Sequence, residues 1–322
     1  VDLLLPAPGD AVFVGPSREQ ARLHRLVPRN AGDTARCNLA HELRPLELSG
    51  VGEGAAPEKP LAAPTFWNWN SLMQWLEDGQ LRSHSLPQMP PAAGQFALAG
   101  ARDVRTHTRI DPETRVASDE SLRQTNVGTT RAPTENGSQS VGYRQSFAAM
   151  IDPIADGITV PSQLAGTTSR LGTGQKVATV WRTTMKLAPP LSLERPLFNL
   201  LKRDQIIRMI LITPGLFRHN GWCPDWLSAA SDSEPLKGHI PLSGIAVQLV
   251  AAAVGKSTWH AGRRMAGNAM LPSMRVVPAG SVYWLKVTDK PKSLRPSWLQ
   301  SMATDPQDRA DGWAIALFGL QP

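Results

Sequence analysis

Residues 276–287 read VVPAGSVYWLKV, and the two halves of that stretch make opposite demands on the backbone. The second half is rich in β-branched and aromatic residues, the composition that fits a pleated, half-buried surface. The first half sets Pro278, Gly280 and Ser281 at its mouth. Proline cannot donate to a sheet ladder and glycine weakens one. The reading is a strand that starts from a fixed bend.

Working outward, IIRMILITPGLF at 206–217 is a dense β-branched run closed by Thr213, Pro214 and Gly215. It reads as a buried strand. GWCPDWL at 221–227 reads as a turn. IAVQLVAAAV at 245–254 reads as a buried helix stopped by Gly255. DGWAIALFGLQ at 311–321 reads as a glycine-led terminal strand. Strand, helix, strand, linker, strand is the order of an α+β sandwich of the ferredoxin-like kind. LAPPLSLERP at 187–196 marks the boundary before this C-terminal domain, which is expected over 197–322.

The first half opens with LLLPAPGDAVFV at 3–14, a strand–turn–strand pattern. Residues 28–64 read as extended loop. NWNSLMQWLEDGQL at 68–81 predicts a short helix, with Asn70 or Ser71 as its cap, Leu72, Trp75 and Leu76 on one face, and Gly79 as its stop. Flanked by loops, it reads as an inserted lid. Trp67, Trp69 and Trp75 either stack on bases or pin the insertion to the body. In the strand within 101–122, Arg105, His107 and Arg109 share a face. That face suits phosphate tracking, or equally a charged edge that discourages aggregation. Residues 128–142 read as a flexible polar loop. In RLGTGQKVATVW at 170–181, Gly172 and Gly174 allow close approach of backbone amides to a phosphate, with Arg170, Gln175 and Lys176 as donors beside them. The pattern is also that of an ordinary turn. It is neither a dinucleotide fingerprint nor a Walker loop.

The chain has 322 residues, a formal net charge of +7 and a pI of about 9.8. That balance favours a polyanionic partner. Arg outnumbers Lys by 25 to 9, which a GC-rich coding sequence also produces. No apolar run approaches the roughly 20 residues of a membrane helix, and no secretory signal is legible. Cys37 and Cys223 lack ligand-spaced partners and suit a reduced cytoplasm, so neither a zinc site nor any cofactor is expected.

These stretches, in this order, resemble the RAMP-superfamily third subunit of the type III-B CRISPR (Cmr) effector complex, a Cas-five-type protein. LLLPAPGDAVFV is similar to the family's Pro-rich strand, and SLMQWLEDG to its inserted helix. HTRIDPETRVASDESL resembles its paired strands, RLGTGQKVATV its glycine-led strand, and ILITPGLF its Thr-Pro strand. VVPAGSVYWLKV is the most recognisable segment, and DGWAIALFG resembles the closing phrase. The family's opening strand, arginine-bearing loop and helix have no counterpart before Leu3. Its Gly-Trp-Asp phrase is replaced by STWHAGRRMAG, with Arg263 and Arg264.

The resemblance implies two ferredoxin-like domains, the first over 1–187 with an inserted lid and without its first strand and helix. It implies a non-catalytic cytoplasmic subunit that holds the 5′ tag of the CRISPR RNA. The other implied partners are a large Cas-ten-type subunit and a Cas-seven-type backbone subunit, with target RNA met indirectly. The residues expected at RNA are Arg170, Gly172, Gly174, Gln175, Lys176, His260, Arg263 and Arg264, then Arg105, His107 and Arg109. Two alternatives stand beside this reading. One is a metal-independent RNA-processing endoribonuclease using His107 or His260, with Lys256 or Arg263 steadying developing charge. The other is an RNA-independent scaffold. Asp111, Asp119 and Glu120 form an acidic cluster that reads as solvated turns rather than a metal site.

Overall fold

The structure is a computed structural model. It describes residues 3–16, 21–29, 42–49, 60–61, 65–78, 96–97, 102–107, 111, 113–116, 123–128, 166–171, 176–179, 187–199, 201–219, 221–261, 272–289 and 293–321. The fold is α+β, with many strands and few helices. Its contacts divide the chain into two compact units, one formed by 1–99 together with 189–322, the other by 100–188. The chain leaves the first unit after Ala99 and re-enters it at Pro189.

In the first unit the leading strands are β1 (Leu4–Pro6), β2 (Ala11–Val14), β3 (Arg22–Pro28), β4 (Leu46–Leu48), β5 (Pro60–Leu61) and β6 (Phe66–Asn68). Helix α1 (Trp69–Asp78) follows, then β7 (Phe96–Ala97). The two strands expected in 3–14 are present, yet they join different sheets. β1 pairs with β6, whereas β2 lies between β3 and β5. The second unit contains the hairpins β8 (Arg102–His107) with β9 (Arg123–Gly128), and β10 (Thr168–Leu171) with β11 (Lys176–Thr179).

The chain returns to the first unit through α2 (Leu191–Leu193), which widens into a π-helical turn at Glu194–Asn199. Then come β12 (Ile206–Leu211), β13 (Leu227–Ser228), β14 (Lys237–His239), β15 (Ala246–Ala253), β16 (Thr258–His260), β17 (Met274–Val276) and β18 (Val282–Val287). The last elements are β19 (Gln300–Ser301), α3 (Pro306–Ala310) and β20 (Ile315–Leu320). Seven of these strands form one antiparallel sheet in the order β13-β14-β15-β18-β12-β20-β19. β12, β18 and β20 are the strands read from sequence, and their residues are almost wholly buried.

The expected helix over 245–254 is instead β15. Its apolar run is short, and a short apolar run buried on both faces has no period that separates strand from helix. Pairing with β14 and β18 decides the matter for a stretch carrying Ile245, Val247 and Val250. The ladder slips between Leu249 and Ala251, and the Val250 carbonyl accepts from the Arg44 amide at 2.8 Å.

The bend at 278–281 moves the chain from the β16–β17 pair into the large sheet. Gly280 sits at φ +90°, and a Cβ there would lie 2.3 Å from the Ala7 carbonyl oxygen. Its own carbonyl accepts from the Gly9 amide at 2.7 Å. The bend therefore seats the segment between β1 and β2, which only a residue without a side chain permits.

Helix α1 starts earlier than its sequence cap suggests, because Asn68 rather than Asn70 or Ser71 accepts the orphan amide, from Ser71 at 2.8 Å. Leu72, Trp75 and Leu76 are buried as expected. The helix is no free lid, since it packs on β20. A Cβ on Gly319 would lie 2.9 Å from the Leu76 carbonyl oxygen, so glycine sets that close approach. Trp67 and Trp75 are buried edge to face, with centroids 5.5 Å apart. They pin the helix, and their burial removes them as base-stacking residues.

Beneath α1 lies a buried ionic cluster. Asp10 accepts from Arg208 Nη1 at 2.6 Å and from the Trp75 indole at 2.8 Å. Arg25 stands 3.8 Å from the same carboxylate and stacks over the Trp75 ring at 3.9 Å. Arg25 and Arg208 both donate to the Trp75 carbonyl, at 2.5 and 2.7 Å, and Arg208 Nε donates to the Leu320 carbonyl. That Trp75 carbonyl belongs to the last turn of α1, where carbonyls lack intrahelical donors and the helix end carries partial negative charge. Two guanidiniums thus meet one carboxylate and the partly negative end of a helix, tying α1 to β3 and β12.

Candidate nucleic-acid interface

The β16–β17 pair is short, and its register decides what it presents. Thr258, Trp259 and His260 stand opposite Val276, Arg275 and Met274. Directly opposed residues of an antiparallel pair share a face. Trp259 and Arg275 therefore meet, with the guanidinium carbon 5.2 Å from the indole centroid. Trp259 is 67% exposed, the second most exposed large hydrophobic side chain after Leu191 among the described residues. Arg275 is exposed too, as is Lys256 three residues before Trp259. His260, on the alternate face, is exposed and edge-on to Trp313 at 4.9 Å.

The surrounding charge is one-sided. From Pro235 to Thr288 the chain has no Asp or Glu, against three Lys and three Arg. The carboxylates of the nearby α3 region have other work. Asp308 receives two hydrogen bonds from Arg218, which raise the guanidinium's pKa further. Asp305 caps α3 through the Gln307 and Asp308 amides, and those hydrogen bonds hold its carboxyl below the usual range. Asp311 accepts from the Gln307 side chain.

In the second unit, register sets Arg105 opposite Thr125 and His107 opposite Arg123 in the β8–β9 hairpin. In the β10–β11 hairpin it sets Arg170 opposite Val177 and Lys176 opposite Leu171. Arg109, Gly172, Gly174, Gln175, Arg263 and Arg264 lie outside the described residues, as do Cys37, Asp119 and Glu120. Asp111 accepts from the Glu113 and Thr114 amides, which lower its carboxyl pKa and make it the anchor of a solvated turn. Among the described residues no group of three or more His, Cys, Asp or Glu could hold a metal ion. None of their helices is long and apolar enough to cross a membrane.

Sequence reading missed Trp259 and Arg275. Their partnership depends on register, but the acid-free stretch around them was legible and marks the same region.

No curated protein matches this chain. Among solved structures, a chain of a type III-B Cmr-β assembly is similar; that assembly was determined by cryo-electron microscopy bound to cognate target RNA and AMPPnP. The two share 13% identity and a TM-score of 0.34 over 88% of this chain and 67% of that one. Residues 1–321 match the family described as CRISPR-associated protein (Cas_Cmr3), and the chain belongs to that family.

Proposed function

We propose that this chain is a non-catalytic, RNA-binding subunit of a type III-B CRISPR ribonucleoprotein, holding the 5′ tag of the CRISPR RNA. It bridges the large Cas-ten-type subunit and the Cas-seven-type backbone. The observation that carries the reading is the family match, which runs from residue 1 to residue 321. The basic balance of the chain and the exposed Trp259–Arg275 pair are the features that single-stranded RNA would use, through phosphate contacts and base stacking. Two ferredoxin-like domains remain part of the proposal. Taken in chain order, β12, β15, β18 and β20 lie in the sheet as second, third, first, fourth, the order of a ferredoxin-like sheet, which supports that reading for 197–322.

The test is reconstitution with the other effector subunits and labelled CRISPR RNA, with competition by RNA of altered 5′ tag. Only the native tag should compete efficiently, and no RNA should be cut by this subunit. Replacing Arg263 and Arg264 with Ala should weaken tag binding and flatten its salt dependence, by about 0.7 in slope for each phosphate no longer neutralised. Equal competition by any tag, or RNA hydrolysis abolished by changing His107 or His260, would overturn the reading.

A further inference from the structure

We infer that Trp259 is a stacking platform for one unpaired base of single-stranded RNA, backed by Arg275 and flanked by Lys256. The inference rests on the RNA-binding role above and names the residues that carry it. An exposed indole is an apolar surface left in water, and it stands on a two-stranded ribbon rather than a loose loop. One ring face is covered by the Arg275 guanidinium. With 67% of the residue exposed among the described residues, ring surface remains for a base, which would complete an Arg–Trp–base stack.

Charge selects the occupant. Arg275 and Lys256 have no carboxylate partner among the described residues, and the stretch that carries them has no acidic residue. An exposed indole with a guanidinium over it, and a second exposed cation three residues before it in the chain, match a phosphodiester with its base turned out. Stacking accepts any base, because every base has a π-face, so the platform would add affinity without sequence preference. A sequence preference for the tag would come from elsewhere.

The experiment uses the full chain and a short single-stranded RNA carrying 2-aminopurine, read by fluorescence anisotropy and by quenching of the aminopurine on stacking. Trp259→Ala should weaken binding about 5- to 150-fold, the range for one stacked base, and abolish the quenching at its position. It should leave the salt slope unchanged, because no charge is removed. Trp259→Phe should keep most of the affinity. Arg275→Ala should lower the salt slope by about 0.7 and weaken quenching. The side chain of Trp259 is largely in water, so the variant should fold, and an unchanged melting temperature verifies it. Wild-type RNA affinity in Trp259→Ala overturns the platform while leaving the RNA-binding role intact. The same holds if that variant binds RNA normally but fails to assemble, which makes the face a protein contact. A wild-type chain that binds no RNA overturns both.

Discussion

Asp10→Asn is the most informative single substitution, because it removes one charge and almost no volume from the cluster under α1. Asp10, Arg25 and Arg208 are 0–2% exposed. The carboxylate faces Arg208 Nη1 at 2.6 Å, Arg25 Nε at 3.8 Å and the Trp75 indole at 2.8 Å. An amide keeps one acceptor oxygen. If that oxygen still serves Trp75, the new NH2 points at two guanidiniums, donor against donor. Removing one member of a buried pair costs about 3–5 kcal/mol, because the remaining charge stays buried without compensation. In domains of about 150–250 residues each kcal/mol lowers the melting temperature by roughly 2–4 °C. The expected drop is therefore about 6–20 °C, measured by calorimetry and checked by urea unfolding at constant m-value. Pairing Asp10→Leu with Arg208→Met should recover part of the loss, since apolar replacement of both partners is often neutral or better. A melting temperature within about 2 °C of wild type would refute the view that this cluster holds α1 to the body.

Gly280→Ala should destabilise by at least about 1–3 kcal/mol, because alanine resists that positive φ and its Cβ would press on the Ala7 carbonyl. Gly221→Ala shares a positive φ but meets nothing within 4 Å, so the difference between the two variants in urea unfolding isolates the contact with Ala7. Burial pushes the Cys223 thiol from its ordinary 9.0 up to about 12. In a Cys37→Ser background, alkylation of the folded protein near pH 8.5 should then run hundreds of times slower than in urea. Burial also raises the Tyr283 hydroxyl, which donates to the Trp222 carbonyl at 2.6 Å. Both groups favour the protonated state when folded. The thiol's contribution is full below about pH 9 and lost as pH rises toward 12, and the phenol's is full below its ordinary 10.0 and lost at higher pH. The urea midpoint should fall across that window, and less steeply in Cys223→Ala.

What was legible in the sequence was local. Residues 206–211, 282–287 and 315–320 carry enough β-branched and aromatic side chains to announce buried strands. Leu72, Trp75 and Leu76 repeat at the helical period. The ordered phrases from Leu3 to Gly319 carry the resemblance to the family in the sequence itself. The basic balance was equally plain, but it could not separate cations that meet solvent from those that do not. Arg25 and Arg208 are buried in the body, whereas Arg275 and Lys256 face water.

Tertiary structure decided the rest. The run at 245–254 became a strand because β14 and β18 offered it ladders on both sides, a fact held by residues on either side of it in the chain. Asp10 found Arg208 across 198 residues, and Trp259 found Arg275 through the register of a single short pair. Backbone preference and periodicity act within a few residues and survive in the order of letters. Which charges are paired, and which aromatic ring stays exposed, depends on distances that exist only after the sheets have formed.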